Sequence, residues 1–373
     1  MGAPLSRGGG EANGRGAVSD VSDLADLGDA RAAARVSVAA ARTGSEGTAS
    51  PVLSVRDLSV RFRMRGGRHV AAVSGASFDL AAGECLALVG ESGCGKSVLA
   101  SALLGLLPGN AQTAGTATVA GTELLGADEH TLALTVRGRL VGLVPQSPAA
   151  HLTPVRTVGA QIEETLRELT GLSRKAARSA AVAAAERAAF PADHLDRYPH
   201  ELSGGLAQRA ATALALIGDA PLLLADEPTT GLDRDLVNRT ADELRRHTDD
   251  GRALLMITHD LAAAERIADR VAVMYAGRIV ELTGARGFFG ESGPRHPYAR
   301  GLLNALPERD FTAVPGLPPE LSDLPEGCAF AARCDRAGER CAVRPAFTDG
   351  VACHHPVTPA AARAASTKDV HRA

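Results

Sequence analysis

The sequence contains very little lysine and no tryptophan. Of its 40 Lys and Arg residues, three are lysines, at positions 96, 175 and 368, and the other 37 are arginines. A lysine inside a chemical motif therefore carries more information here than in an ordinary chain. Aromatic residues make up 3% of the chain and the net charge is −3, so no basic surface for nucleic acid is predicted.

Long apolar runs are also missing. No run approaches the roughly 18 residues needed to cross a bilayer, and the N-terminus lacks a charged start followed by an apolar stretch. We therefore expect the protein to lie in the cytoplasm, or at the cytoplasmic face of a membrane through a partner. Its 373 residues, of which 45% are hydrophobic, are enough for two or three compact units.

Both ends of the chain are poor in large apolar side chains. Residues 1–50 are rich in Gly, Ala, Ser and Asp, so they are predicted to be a disordered tail. We expect a second, flexible tail at residues 359–373. Beyond about residue 293 prolines and cysteines accumulate. This change predicts one domain over residues 51–293 and a smaller unit over residues 294–358.

Strand and helix patterns alternate within residues 51–293. The stretch "VLSVRDLSVRF" alternates in the manner of a strand, and "ECLALVG" is a short buried strand that ends in a glycine-rich turn. Further core strands of a mainly parallel sheet are predicted at residues 141–145, 221–228, 253–260 and 271–277. Helical patterns at residues 157–169 and 174–190 predict an inserted helical subdomain over about 150–209. The whole pattern is typical of an α/β fold.

The stretch "GESGCGKS" at residues 90–97 fits the pattern GxxxxGK[ST]. It follows a buried strand and precedes a predicted helix, which is the context that this motif requires. Glycines let backbone N–H groups surround an anion, and the N-terminus of the following helix favours negative charge. Lys96 can then neutralise the β and γ oxygens of a nucleotide, and Ser97 can ligate Mg²⁺.

Two carboxylates end an apolar strand in "LLLADEP", at Asp226 and Glu227. An acidic residue at such a place can hold Mg²⁺ through water, and its neighbour can polarise the water that attacks a γ-phosphate. Alone, the pair would equally be a solvated strand end. Beside a phosphate-binding loop, the pair favours nucleotide hydrolysis.

A second glycine-rich helix start occurs in "LSGGLAQR" at residues 202–209. Two glycines after a serine at the start of a helix form another phosphate-binding terminus. A phosphate bound by residues 90–97 does not need a second terminus from the same fold. The second terminus therefore indicates a nucleotide bound by another subunit.

Taken in order along residues 52–290, these motifs resemble the ABC transporter ATPases. The resemblance implies a P-loop NTPase cassette with a RecA-like core, an antiparallel β subdomain and a helical subdomain. It also implies roles for individual residues. Phe62 would stack on adenine, Gln146 in "LVPQSP" would sense Mg²⁺ and the transmembrane partner, Asp233 in "TTGLD" would lie in the D-loop, and His259 in "ITHD" would contact the γ-phosphate.

The remaining implied nucleotide residues belong to three motifs. The Walker A loop contains Gly90, Glu91, Ser92, Gly93, Cys94, Gly95, Lys96 and Ser97, the signature contains Ser203, Gly204 and Gly205, and Walker B contains Asp226 with the catalytic Glu227. Catalysis would fall to Glu227, His259 and Gln146, and Mg²⁺ would be held by Ser97, Gln146 and Asp226. Without the resemblance, His259 would be read as an ordinary strand-end histidine and Phe62 as a core residue.

Cys85 and Cys94 lie in or beside the strand and loop of the nucleotide motif. Cys85 points into a strand-rich core and is predicted only to pack. Cys94 lies close to a predicted helix N-terminus, which would lower its pKa and make it oxidisable. The plainer interpretation of Cys94 is a small residue tolerated at a variable loop position.

The stretches "PRHPYARGLLNALP" and "LPEGCAFAARC" narrow the resemblance to ATPases that power import of dipeptides, oligopeptides or nickel. This resemblance implies a second cassette, two transmembrane permease subunits and, indirectly, an extracellular substrate-binding protein. Cargo would be peptide or, alternatively, nickel or another metal chelate. The segment "AAHLTPVRT" departs from the subfamily's usual turn, which affects the surface expected to meet the permease.

Two other classes of protein share these motifs. A non-transport ABC ATPase acting on ribosomes or DNA would carry two cassettes, a long coiled coil or a basic patch, and this sequence shows none. A regulatory cassette without turnover would be expected to lose Glu227 or His259, and both are present. We therefore favour a transport ATPase.

Four cysteines lie near the end of the chain, at Cys328, Cys334, Cys341 and Cys353, separated by five, six and eleven residues. A reducing compartment disfavours disulfides, so the thiols are free or bind zinc or an iron–sulfur cluster. Zinc sites usually show closer CxxC pairs, and thiolates on proline-bracketed loops suit a Cys₄ cluster. The importer resemblance implies a [4Fe-4S] cluster on these four residues, with His354 or His355 as less favoured replacements for Cys353.

Overall fold

Two β-sheets form the framework of the computed structural model, which describes residues 50–358. The strands are β1 (Leu53–Arg63), β2 (His69–Leu80), β3 (Cys85–Val89), β4 (Ala111–Val119), β5 (Thr122–Glu123), β6 (Val141–Val144), β7 (Leu222–Asp226), β8 (Ala253–Thr258), β9 (Arg270–Tyr275) and β10 (Arg278–Gly284). A disordered tail is expected at residues 1–50 and a flexible one at residues 359–373. Apart from residue 50, these residues lie outside the described part.

The six-stranded sheet has the order β10-β9-β3-β8-β7-β6. Its strands pair in parallel from β9 to β6, and β10 joins β9 as an antiparallel edge. β3 and β8 are buried along their whole length, as expected for strands covered on both faces. The core strands predicted from the sequence are confirmed as β6, β7, β8 and β9, and the α/β class is confirmed with them.

The second sheet is antiparallel and has the order β2-β1-β4-β5. β1 pairs with β2 on one side and with β4 on the other. The alternating burial of β1 matches its sequence pattern, because alternate side chains of a strand point to opposite faces. One face of this sheet therefore supplies apolar side chains to the core.

Helices connect the strands. They are α1 (Lys96–Leu103), α2 (Glu129–Thr131), α3 (Pro148–His151), α4 (Val158–Thr170), α5 (Arg174–Arg187), α6 (Gly204–Ala215), α7 (Arg234–Asp249), α8 (Leu261–Ile267), α9 (Ala285–Phe289) and α10 (Pro297–Asn304). Short 3₁₀ turns lie at Arg65–Gly67, Ala192–His194, Pro199–Glu201, Ala331–Arg333 and Glu339–Ala342, and a π-turn at Leu132–Val136. Within residues 50–358 no helix is both long and apolar enough to span a bilayer.

The two helices predicted between β6 and β7 are confirmed as α4 and α5. Each begins at a side chain that accepts a backbone N–H: Thr157 accepts from Ala160, and Ser173 accepts from Ala176. Such N-caps satisfy donors that the first helical turn leaves without partners. The polar residue before each apolar period therefore fixes where the helix starts.

Three hydrophobic clusters fill the described part. The first joins the antiparallel sheet and α1 to one face of the six-stranded sheet. The second covers the other face and includes Phe288 of α9, together with Tyr298 and Phe330 from the C-terminal region, residues 294–358. The third lies among α4, α5 and α6, and eight of its fourteen buried residues are alanines.

Candidate functional site

The loop at residues 90–97 joins β3 to α1 and passes close to two other strands. A Cβ on Gly90 would lie 2.2 Å from the carbonyl oxygen of Met274, and a Cβ on Gly95 would lie 2.2 Å from that of Ala72. Gly95 also has φ +106°, a conformation that favours glycine. The backbone can therefore take this path only with glycine at both positions.

Lys96 begins α1 and is buried. Its Nζ donates to the carbonyl oxygens of Gly90 at 2.8 Å and Glu91 at 3.0 Å. The ammonium group therefore lies under the loop, beside the N-terminus of the helix. A helix N-terminus and a cation together favour an anion such as a phosphate.

Ser97 and Asp226 come together although they are far apart in the sequence. The Ser97 hydroxyl donates to Asp226 Oδ1 at 3.3 Å, because β3 and β7 both flank β8 and end at the same edge of the sheet. Burial and the neighbouring Glu227 carboxylate raise the pKa of Asp226, while the Ser97 hydrogen bond and Lys96 oppose the rise. Hydroxyl and carboxylate oxygens are ligands that suit Mg²⁺.

Gln146 lies at the same edge of the sheet. It follows β6 by two residues, and the last residue of β6, Val144, pairs with Ala225 of β7. Its side chain is exposed. The sheet register therefore brings Gln146 to the end that also carries Asp226.

Glu227 is held in an uncommon conformation. Its φ is +53°, in a region that costs a residue other than glycine about 1–3 kcal/mol. Its N–H donates to Ile257 O at 2.8 Å, and its carboxylate lies 2.7 Å from His259 Nδ1 and accepts from the Thr230 hydroxyl at 3.2 Å. These contacts aim a nearly buried carboxylate toward an exposed histidine.

The signature residues lie elsewhere on the surface. Ser203 caps α6 by accepting the N–H of Leu206 at 3.3 Å, and its side chain is exposed. Gly204 and Gly205 form the first turn of α6. Within residues 50–358 no hydrogen bond or ion pair joins these three residues to residues 90–97. Asp233 likewise caps α7, accepting the N–H of Leu236 at 3.0 Å.

Phe62 and the two cysteines of this region are placed in or against the core. Phe62 is half-buried and packs against the first hydrophobic cluster. Cys85 is fully buried, which confirms its packing role. The expectation of a lowered pKa for Cys94 is wrong, because the thiol is buried and burial raises its pKa more than Lys96 lowers it.

Two residues that touch the loop were not predicted from the sequence. Tyr298 of α10 accepts the N–H of Glu91 at 2.8 Å. Arg333 donates to both carboxylate oxygens of Glu91, at 2.8 and 2.9 Å. They lie 207 and 242 residues along the chain from Glu91, so no local pattern announces the contacts.

The four C-terminal cysteines are free thiols and are half-buried. Burial raises the pKa of Cys328, Cys334 and Cys353, and the neighbouring thiols raise it further. Backbone N–H groups point at these sulfurs, as that of His355 does at 3.3 Å from Cys353 Sγ. Cys341 lies inside a 3₁₀ turn rather than on an irregular loop as expected. In the described part of the chain, no three or more His, Cys, Asp or Glu side chains stand in a metal-binding arrangement.

Two family models match the chain. The model described as ABC transporter matches residues 73–230, and the model described as oligopeptide/dipeptide transporter, C-terminal region, matches residues 280–341. The first match contains the loop at 90–97, the signature and Asp226 with Glu227. The second contains Tyr298, Arg333 and three of the four cysteines.

Curated relatives are similar over most of the chain. The oligopeptide transport ATP-binding protein OppD of Escherichia coli K12 is 41% identical over 83% of this chain and 94% of its own length. The dipeptide transport ATP-binding protein DppD of Bacillus subtilis is 41% identical over 76% and 86%. OppD of Mycobacterium tuberculosis is 42% identical over 78% of this chain, which spans about half (49%) of that relative.

Solved structures share the cassette fold. The dimeric structure of the bacterial ABC transporter cassette MJ0796 has a TM-score of 0.58 and 25% identity, covering 63% of this chain and 100% of that chain. Its post-hydrolysis state bound to ADP and Pi matches with the same TM-score at 24% identity. The ABC cassette fold expected from the sequence is thereby confirmed.

Two of the three glycines of the loop, Gly93 and Gly95, allow a matched test of its path. Gly93→Ala adds a Cβ with nothing within 4 Å, so only its φ of +79° opposes the change, at about 1–2 kcal/mol. Gly95→Ala adds the collision with Ala72 O and should lower the free energy of unfolding by about 3 kcal/mol or more. Urea denaturation of both variants measures the difference. Equal losses would contradict the close approach.

Proposed function

The chain belongs to the family of oligopeptide and dipeptide transport ATP-binding proteins, and on that premise we propose that it is the ATP-hydrolysing subunit of an ABC importer. The observation that carries the proposal is the sheet edge where Lys96, Ser97, Asp226, Glu227 and His259 meet. The reaction proposed for this edge is the hydrolysis of ATP to ADP and phosphate.

Each group at this edge receives a role in the proposal. Lys96 and the N-terminus of α1 bind the phosphates, and Glu227 takes a proton from the attacking water. His259, beside the Glu227 carboxylate, orients it and reaches the γ-phosphate. Mg²⁺, held by Ser97, Gln146 and Asp226, would neutralise charge on the phosphate oxygens.

The adenine side of the site is proposed at Phe62. The residue ends the pairing of β1 with β4, opposite Ala111. Its ring is partly exposed, so one face could stack on a base while the other packs against the core.

We further propose that two cassettes share each nucleotide. Ser203, Gly204 and Gly205 form the N-terminus of α6, which is exposed. Within residues 50–358, no hydrogen bond joins it to the loop at residues 90–97 of the same chain. Such a terminus is suited to a phosphate held by another subunit. Asp233, also exposed at a helix start, would lie at the same interface.

The proposed partners and cargo follow from the relatives, which are oligopeptide and dipeptide transport ATP-binding proteins. Two transmembrane permease subunits would hold the chain at the cytoplasmic face of the membrane, in contact with residues 146–165. An extracellular substrate-binding protein would deliver peptides to the permease. The cargo would never touch this chain.

The domain division is part of the proposal. The helices of the 150–209 segment have their own hydrophobic cluster, which supports a helical subdomain inside residues 51–293. Residues 294–358 would form the C-terminal extension. Its four cysteines are proposed to hold a [4Fe-4S] cluster, supported by the backbone N–H groups directed at sulfur. The cluster would stabilise a unit with little core of its own.

Lys96→Ala and Glu227→Gln should separate binding from turnover. Removing the ammonium group should weaken ATP binding, whereas Glu227→Gln should keep binding and lower kcat at least about 100-fold. Calorimetric titration with MgATP and a phosphate-release assay measure the two effects. Glu265→Gln, an exposed change on α8, is the matched control and should turn over normally. Normal turnover by Glu227→Gln would contradict the assignment.

The shared site can be tested by mixing two inactive variants. Lys96→Ala and Ser203→Arg should each be inactive alone. An equal mixture should recover up to about a quarter of wild-type turnover, because half the dimers are mixed and each has one intact site. Mixing Lys96→Ala with a Lys96→Ala/Ser203→Arg double variant offers no intact site and serves as the control. A mixture as inactive as its components, or a fully active Ser203→Arg protein, would contradict the arrangement.

The cluster is tested by purification without oxygen, followed by assays of iron, acid-labile sulfide and visible absorbance. We expect a brown protein that loses colour and C-terminal protease resistance on Cys334→Ser. Cys85→Ala removes a thiol outside the four and should keep the iron. Stoichiometric zinc without sulfide, or four freely titrating thiols without metal, would overturn the proposal.

A further inference from the structure

Glu91, the second residue of the loop at 90–97, is bonded at each of its polar groups. Its N–H donates to the Tyr298 hydroxyl at 2.8 Å, and its carbonyl oxygen accepts from Lys96 Nζ at 3.0 Å. Both carboxylate oxygens accept from Arg333. Tyr298 and Arg333 belong to the C-terminal region, so two of these three anchors come from outside the segment that carries the nucleotide motifs.

Arg333 is itself fixed by its surroundings. Only 4% of its side chain is exposed, against 27% for Glu91. Its guanidinium also donates to Pro315 O at 2.6 Å and to the Tyr275 hydroxyl at 3.2 Å, and it lies 5.8 Å from the centre of the Phe330 ring. A planar guanidinium that donates to both oxygens of one carboxylate sets the direction of that carboxylate as well as its distance.

The turn that carries Arg333, Ala331–Arg333, lies between Cys328 and Cys334. Two backbone hydrogen bonds stabilise the turn: the N–H of Arg333 donates to Phe330 O, and the N–H of Cys334 donates to Ala331 O. Phe330 packs in the cluster that covers the face of β3, β8 and β9. The four-cysteine unit therefore approaches the nucleotide loop from the opposite side to the antiparallel sheet and contacts it through this arginine.

We infer that Arg333 and Tyr298 are positioning residues of the ATPase site. They hold Glu91, and through it the start of the phosphate-binding loop, in the conformation that receives the triphosphate. The inference rests on the proposed ATPase function and adds to it that the C-terminal region completes the site.

The physical reason lies in the short connection between Glu91 and the groups that meet phosphate. The Glu91 carbonyl accepts from Lys96 Nζ, so a rotation of this peptide unit changes the direction of the ammonium group. A displacement of about 1 Å in such a group can cost about 100-fold in activity. A contact made equally with substrate and transition state acts on KM rather than on kcat.

A plainer role is possible for the same ion pair: attachment of the C-terminal region to the sheet. The two roles differ in what they predict for a neutral pair. Replacing both partners of a buried ion pair with uncharged residues often restores stability. It does not restore the contact in which one guanidinium donates to both oxygens of the Glu91 carboxylate. Stability and nucleotide affinity therefore separate in the double variant.

The experiment measures KM for ATP, kcat and the thermal midpoint in a set of variants of the full chain. Arg333→Met and Glu91→Gln should each raise KM about 10-fold and change kcat by less than about threefold. Tyr298→Phe, which keeps the ring and removes the acceptor of the Glu91 N–H, should raise KM about threefold. Arg333→Lys keeps the charge but loses the bidentate geometry, so its KM should lie between those of wild type and Arg333→Met.

The double variant Arg333→Met/Glu91→Gln decides between the two roles. We expect its thermal midpoint to return toward wild type while its KM stays about 10-fold raised. Arg309→Met is the control, because Arg309 also joins the C-terminal region to the preceding domain: it donates to the carbonyl oxygen of Phe289, the last residue of α9, at 2.7 Å. It should change the midpoint without changing KM.

Three results would overturn the inference. The first is a wild-type KM in Arg333→Met with a lowered midpoint, and the second is a double variant whose KM returns to normal with its stability. Each of these leaves the proposed ATPase function intact. The third, a wild-type chain that neither binds nor hydrolyses MgATP in calorimetry and phosphate release, overturns the proposed function and the inference together.

Discussion

The close passage of one loop past two carbonyl oxygens is the constraint on which the rest of the structure depends. Gly90 and Gly95 lie where a Cβ would meet Met274 O and Ala72 O at 2.2 Å. Met274 belongs to the parallel sheet and Ala72 to the antiparallel one, so the loop is wedged between them. The direction of Lys96 and of α1 follows from that wedge, and the ends of β7 and β8 then bring Asp226, Glu227 and His259 to the same edge.

The C-terminal region extends this arrangement from a third side. Tyr298 and Phe330 pack in the same cluster as strands β3, β8 and β9, and from there Arg333 reaches Glu91. A buried guanidinium is tolerated because its charge meets a carboxylate and its other donors meet Pro315 O and the Tyr275 hydroxyl. The loop is thus enclosed by groups from both ends of the described chain.

Local chemistry could be read from the sequence, and contacts across the fold could not. Glycine spacing predicts the loop at residues 90–97, and the end of an apolar strand predicts the site of Asp226 and Glu227. Capped apolar periods predict helices α4 and α5. Strand β4, which lies between β1 and β5, carries small and polar residues in "AQTAGTATV", so its pairing with β1 had no pattern to predict it. The raised pKa of Cys94 depends on burial, which the nearby helix terminus did not reveal. The hydrogen bond from Arg333 to Glu91 joins residues 242 positions apart in the sequence, and only tertiary packing brings them together.

The alanine-rich cluster among α4, α5 and α6 has a consequence for local opening. Each alanine contributes only one methyl group to the cluster, at about 0.8 kcal/mol per buried carbon group, whereas leucines and valines make up most of the first cluster, between the two sheets. Segments with little buried apolar surface open at lower free energy than the global unfolding transition. The backbone amide hydrogens of these three helices should therefore exchange with solvent through partial unfolding. Those of β3 and β8 should exchange only when the whole molecule unfolds.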